Sequence, residues 1–368
     1  MAFADAYRRK RIFLTGHTGF KGSWLAEWLL ALGAEVTGYS LPPPTEQALF
    51  EQLGLAKRIH HREGDVRDLP NLRGAIEYAR PDFIFHLAAQ PLVRLSYREP
   101  IETFSTNIMG TVNLLEAVRL AARPCTVVMV TTDKCYENKE WHHGYREQDP
   151  LGGHDPYSSS KGAAELVIGA YRQSYFSMPD TGIALASGRA GNVLGGGDWS
   201  LDRIMPDCVR SLRRGEAIPV RNKFSTRPWQ HVLEPLSGYL ALGAKLASLP
   251  AGPAKATLAS AFNFGPSLAS NRTVAQLVRE ILKHWPGSWL DRSDPQAAHE
   301  AILLNLSTDK AFHLLDWTPV WSFEQTIAQT VKWYQEDQSS PEHLSAFTVG
   351  QIAAYTAAAR TNEIPWSA

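Results

Sequence analysis

A chain of 368 residues that is 44% hydrophobic and 20% charged has the make-up of a globular protein, either two domains or one large α/β unit, and excludes disordered and fibrous classes. Thirty-seven basic residues balance thirty-seven acidic ones, so no net field draws the chain to nucleic acid or to a membrane, and an anionic ligand must be met by a local cluster of charge. The three cysteines, Cys125, Cys135 and Cys208, make neither a CxxC pair nor a disulfide framework, no apolar run approaches the roughly 20 residues that span a bilayer, and the opening MAFADAYRRK has no secretory core, which together predict a cytoplasmic protein.

Arg11 to Thr15 reads as a strand that runs into a glycine cluster and then a helix, whose apolar Trp24, Leu25, Trp28, Leu29 and Leu32 share one face. Strand-like runs recur at 35–39, 83–88, 126–132 and 182–186 with helical segments between them. This alternation predicts an α/β fold: a Rossmann-type, doubly wound, parallel sheet with helices on both faces, placed at residues 10–188. Residues 189–338, rich in proline, tryptophan and basic side chains, are expected to form a smaller C-terminal α/β substrate-binding cap, with 249–261 as a surface loop. Residues 339–368 are expected to be a helical or frayed tail.

The run Thr15-Gly16-His17-Thr18-Gly19-Phe20-Lys21-Gly22 lies between strand and helix, the setting that makes a glycine fingerprint credible. Gly16 permits a tight turn, Gly19 lets amides approach a pyrophosphate, and Gly22 lets the helix pack closely. The second strand ends Gly38-Tyr39-Ser40-Leu41 with no carboxylate for a ribose, but also with no arginine or lysine for a 2′-phosphate, which favours NAD over NADP. Asp65 and Val66 end the third strand, and Leu87, Ala88 and Ala89 end the fourth, where small residues let a cofactor lie against the backbone.

Tyr157 and Lys161 stand four apart on an expected helix and so share a face, a cation beside a phenol that favours tyrosinate. Thr132-Asp133-Lys134 follows the fifth strand and sets an acid and an amine side by side as further proton-transfer groups. The doublets His60-His61 and His142-His143 have no partners at metal spacing, so no metal is expected.

Taken together, TGHTGFKGSWL, HLAAQPLVRLSY, TTDKCYEN, DPYSSSK, RAGNVLGGGDW and RPWQHVLEPLSGYL resemble the extended short-chain dehydrogenase/reductase family, in its NAD-dependent nucleotide-sugar epimerase/dehydratase group, from about residue 10 to 335. The resemblance implies that Asp65 lies near adenine and that Asn107, in an NxxGT segment, holds sheet geometry. It also implies that Gln90, Arg94, Asn192, Arg203 and Arg227 meet the substrate. It implies 4,6-dehydration of a sugar nucleotide, with Thr132, Asp133, Lys134, Tyr157 and Lys161 as the catalytic set. Lys134 stands where the dTDP-glucose branch carries glutamate, which points to CDP-glucose as substrate. A homodimer built on helices at about 101–121 and 157–176 is also implied. The alternatives are a dTDP-glucose dehydratase, a UDP-sugar 4-epimerase, and a non-catalytic NAD(H) sensor, the last opposed by the intact Tyr157 and Lys161.

Overall fold

The structure, a computed structural model, describes residues 2–177, 181–293 and 303–368. Its frame is β1 (Arg11–Thr15), β2 (Glu35–Ser40), β3 (His60–Glu63), β4 (Phe83–His86), β5 (Cys125–Val130) and β6 (Ile183–Ala190), joined at the edge by the strand Ala261–Phe264. The seven strands lie in the order Ala261–Phe264, β6, β5, β4, β1, β2, β3, every neighbouring pair parallel.

Near-continuous apolar strands are what a sheet buried on both faces requires. Ile12, Leu14, Phe83, Phe85, Val128 and Val130 point into one core, while Phe13, Ile84, Val127 and Met129 point into the other. Thr15 at the end of β1 sits level with Tyr39 of β2 and His86 of β4. The strand order reverses between β1 and β4, so a crevice opens at their carboxyl ends, the place where doubly wound sheets bind ligands.

Packing alters what was expected of the first helix and of residues 249–261. The helix Phe20–Ala31 is sealed on both sides: Glu27 is buried along with Trp24, Leu25, Trp28 and Leu29. The reason is the C-terminal segment, in which the helix Pro341–Thr361 and Trp366 cover the outer face, Trp28 meeting Tyr355 edge-on at 5.8 Å. The tail is therefore a packed helix rather than a frayed end. Glu27 is matched by a two-pronged contact from Arg58 at 2.7 and 2.8 Å. Residues 249–261, read as a loop, hold a short helix, Pro253–Leu258, and lead straight into the edge strand.

That strand also crosses the expected division at residue 188, which falls inside β6. The helix Leu233–Ser248 packs on β5 and β6, and Tyr7 donates to the Leu240 carbonyl at 2.6 Å, so the second half of the chain completes the first. Short pairings, Val193–Leu194 with Gln230–His231 and Thr226–Pro228 with Asn271–Thr273, build the smaller lobe over the crevice. Among the described residues no helix is long and apolar enough to cross a membrane.

Glu234 opens the Leu233–Ser248 helix fully buried, accepting from Trp321 N at 2.7 Å, Val320 N at 2.9 Å and the Tyr355 hydroxyl at 2.6 Å. Burial pushes its carboxyl up to about 7 from 4.5. The folded state then holds this proton more tightly than the unfolded chain, so its contribution to stability is lost as pH rises from about 4.5 to about 7, by on the order of 3 kcal/mol. Urea denaturation at pH 5 and pH 8 should show the parent losing ground to Glu234→Gln at the higher pH; a pH-independent difference between the two proteins would contradict this.

Candidate active site

Each wall of the crevice has a local cause. The turn after β1 holds Gly16 at φ 75°, and a Cβ there would lie 2.6 Å from the Ala88 nitrogen and 2.8 Å from the Leu87 carbonyl carbon. A Cβ on Gly22 would lie 2.1 Å from the Gly16 oxygen, whereas one on Gly19 would meet only that oxygen at 3.4 Å. Gly16 and Gly22 thus close the turn, while Gly19, at the cap of the helix Phe20–Ala31, leaves a cradle facing helix N–H groups. Gly22→Ala is expected to force the turn apart and to cost about 1–3 kcal/mol of stability. A urea midpoint equal to the parent's would show that the turn yields freely.

Thr18 Oγ1 lies 2.8 Å from Ser40 Oγ and donates to the Leu41 carbonyl at 2.9 Å, so hydroxyls stand where β2 lacks a carboxylate. Asp65 is held by Arg67, whose Nε lies 2.9 and 3.0 Å from its two oxygens, and this contact keeps its carboxyl below the usual range. Val66 is buried against Gly110. Leu87, Ala88 and Ala89 are half-buried, with Ala88 N donating to Thr15 Oγ1 at 3.2 Å.

The second wall is the helix Pro156–Tyr171. Asp155 caps it by accepting from Ser158 N at 2.9 Å, with Pro156 at its first position, so the sequence Asp-Pro-Tyr fixes where Tyr157 starts. Asn107 ties this helix to the loop after β4, donating to Ser160 Oγ at 2.8 Å and to the Gln90 carbonyl at 3.1 Å while accepting from Gln90 N at 2.9 Å. Asn107 itself sits in a π-helical turn, Ser105–Met109, within an otherwise continuous helix.

Thr132, Asp133 and Tyr157 converge. Thr132 Oγ1 donates to Asp133 Oδ1 at 2.9 Å and lies close enough to the Tyr157 phenol to act on it. Burial pushes that phenol up to about 12, Asp133 adds to the rise, and Thr132 and Arg203 oppose it. Burial brings Lys161 down to about 8, and its Nζ reaches the Val130 carbonyl at 3.5 Å. Asp133 is 3% exposed, and burial raises its carboxyl against the pull of Lys134, Thr132 and Arg227. A Cβ on Gly191 would lie 2.6 Å from Asp133 Oδ2, so the glycine after β6 makes room for that carboxyl.

Other expected residues are placed as follows. Phe20 lies beside Gly195. Lys21 is drawn down to about 7 by burial and by the charges of Arg203 and Lys161, and its Nζ lies 5.8 Å from the Tyr239 ring centre, on the floor of the crevice. Arg203 pairs with Asp198 at 2.9 Å. Arg227 donates to the Thr226 carbonyl at 2.8 Å and acts on Asp133. Asn192 is half-buried next to Gly191. Arg94 lies on the rim, 3.2 Å from Asp202. Gln90 does not face the crevice freely: its amide donates to Thr103 Oγ1 at 2.8 Å and accepts from Leu92 N at 2.6 Å, bracing its own loop.

Sequence reading missed the buried pair Glu165–Arg189, 2.8 Å apart. Glu165 also accepts from Thr131 Oγ1 at 2.5 Å and Ser187 Oγ at 2.9 Å, and Arg189 donates to the Tyr136 hydroxyl at 2.7 Å. This network fixes the loop carrying Thr132 and Asp133 relative to Lys161. An acid one turn beyond Lys161 was the available signal, but its partner lies in β6.

The profile of the GDP-mannose 4,6 dehydratase family matches residues 13–242. The chain belongs to this family. A CDP-glucose 4,6-dehydratase of Salmonella typhimurium is 48% identical over 334 residues, 89% of this chain and 91% of the relative. The dTDP-glucose 4,6-dehydratase of Streptomyces venezuelae, solved with NAD bound, has a TM-score of 0.75 at 26% identity, covering 89% of this chain and 98% of that one. A UDP-glucose 4-epimerase of Thermus thermophilus has the same TM-score, 0.75, at 24% identity, covering 88% and 99%, so the fold is common to dehydratases and epimerases. Within the GDP-mannose 4,6 dehydratase family, then, chemistry has to be argued from the side chains over the crevice.

Proposed function

We propose that this chain converts CDP-D-glucose to CDP-4-keto-6-deoxy-D-glucose with a resident NAD. The observation that carries the reading is Asp133, a carboxyl buried beside Tyr157, hydrogen-bonded by Thr132 and raised by burial, which suits it to donate a proton. The Salmonella relative at 48% identity supports the choice of CDP-glucose.

The cradle between Gly16, Gly19 and Gly22 fits a pyrophosphate, with Thr18, Phe20, Lys21, Asp65, Val66, Leu87, Ala88 and Ala89 around the dinucleotide and Tyr157 and Lys161 at its reactive end. A dinucleotide held there would supply the acceptor for hydride from carbon 4 and the donor of hydride to carbon 6. Tyr157 takes the proton of the 4-hydroxyl, and Thr132 holds the same oxygen. The resulting ketone acidifies the carbon 5 proton, which Lys134 is assigned to take. Asp133 protonates the 6-hydroxyl, which leaves as water. Lys134 then returns a proton to carbon 5, and the proton held by Tyr157 restores Asp133, so substrate minus one water is the product. Arg203, Arg227 and Asn192 are assigned to the sugar diphosphate, with Arg94 and Gln90 further out.

The protein should act as a homodimer in the cytoplasm. Ile101 is 84% exposed and Tyr175 47%, on the helical segments 100–121 and 156–176, an apolar surface that a second copy would cover. Sedimentation as a monomer at all concentrations would remove the dimer. For the reaction, the test is incubation with CDP-, dTDP-, UDP- or GDP-glucose plus NAD, followed by the alkaline absorbance of 4-keto-6-deoxy product. The highest kcat/KM is expected for CDP-glucose. Product from none of the four would sink the dehydratase assignment, and a preference for dTDP-glucose would move the substrate.

A further inference from the structure

Beyond Lys161, the C-terminal half of the Pro156–Tyr171 helix borders a second cleft of about 570 Å³, lined by Glu147, Glu165, Arg172, Arg189, Ser260 and Lys310 among others. None of Thr132, Asp133, Tyr157 and Lys161 lines it. We propose that this cleft is a binding site for a small phosphate-bearing anion, held by Arg172 and Lys310.

The case rests on counting charges and their partners. Three cations, Arg172, Arg189 and Lys310, face two carboxylates, Glu147 and Glu165. Glu165 and Arg189 satisfy each other at 2.8 Å, and both oxygens of Glu165 are already engaged by Thr131, Ser187 and Arg189. Glu147 accepts from Asn263 N at 2.9 Å, and burial raises its carboxyl toward the neutral form. Glu165 acts on Arg172 and Glu147 on Lys310, but among the described residues neither cation is ion-paired with a carboxylate.

Arg172 donates through Nε to the Leu185 carbonyl at 3.0 Å, while its Nη2 is buried and has no partner among the described residues. Lys310 Nζ is held only by neutral oxygens, Ser260 Oγ and the Ala261 carbonyl, each at 2.8 Å. Burial lowers Lys310 and Glu147 opposes that, while Arg172 and Arg189 add to the lowering, so these cations oppose one another across the cleft. Cations held out of water without an ion-paired partner are costly, and an anion between them supplies both a direct partner and the acceptor for Nη2. The volume lies within the roughly 300–1,000 Å³ of small-molecule sites, which leaves space for an organic group of sugar or nucleoside size beside the phosphate.

Isothermal titration of the full chain with inorganic phosphate tests this independently of the dehydratase reading. A binding heat is expected that weakens about tenfold in Lys310→Met and likewise in Arg172→Gln, but survives in Arg227→Gln on the crevice side. Should Arg172→Gln fail to fold, Lys310→Met alone decides. Absence of any phosphate heat in the parent, parental affinity in Lys310→Met, or loss of the whole signal in Arg227→Gln would each overturn the proposal.

Discussion

Tyr157→Phe is expected to lower turnover of CDP-glucose by about 10²–10⁴-fold while substrate affinity stays within a few-fold of the parent. The ring lies in the helix Pro156–Tyr171, is 8% exposed, and keeps its packing without the hydroxyl. What disappears is the phenol beside Thr132 to which the 4-hydroxyl proton is assigned, while burial holds the neighbouring Asp133 toward its protonated form. Equilibrium binding by calorimetry, set against steady-state rates, separates the two quantities. Turnover within tenfold of the parent would mean that another base takes the proton and that the phenol only positions the sugar.

Asp133→Asn should divide the reaction in a different place. Asparagine keeps the size of the side chain and an acceptor for Thr132 Oγ1, now 2.9 Å from the carboxylate, but it has no acidic proton to give a leaving hydroxyl. Oxidation at carbon 4 is expected to survive and elimination to slow by about 10²–10⁴-fold. Reduced nicotinamide should therefore accumulate after mixing with substrate, read as a rise in its absorbance. Lys134→Met is expected to do the same and also to slow exchange of the carbon 5 proton with deuterated water. If both variants eliminate water at the parental rate, or neither reduces the dinucleotide, the pair has been given the wrong work.

Much of this was legible because it is encoded locally. The strand-turn-helix around Gly16 to Gly22 is a single run of residues, as are Asp155 to Lys161 and Thr131 to Lys134, and the structure brings Thr132, Asp133 and Tyr157 together. The parallel sheet followed from apolar runs that feed two cores at once. What escaped depends on distant partners. The Phe20–Ala31 helix reads as one-sided until Tyr355 and Trp366 arrive from the far end of the chain. Glu165 and Arg189 belong to different elements, so neither shows in isolation that it is a member of a buried pair. Gln90 has the residue type of a ligand contact, yet its amide is spent on Thr103 and Leu92, which only coordinates reveal. The strand Ala261–Phe264 was hidden by the alanine, proline and serine that precede it.

That strand makes the order of synthesis matter. β6 ends at Ala190 and its outer neighbour begins at Ala261, so while the chain is being made the edge of β6 waits through about seventy further residues for its hydrogen-bonding partner. Pairing at such separation is slow to form, and an unpaired edge on a strand that the folded protein buries invites association with other nascent chains. A fragment stopped at residue 188 would end inside β6, short of Arg189 and Ala190, and would also lack the Leu233–Ser248 helix that covers β5 and β6. It should aggregate rather than behave as a free-standing dinucleotide-binding module.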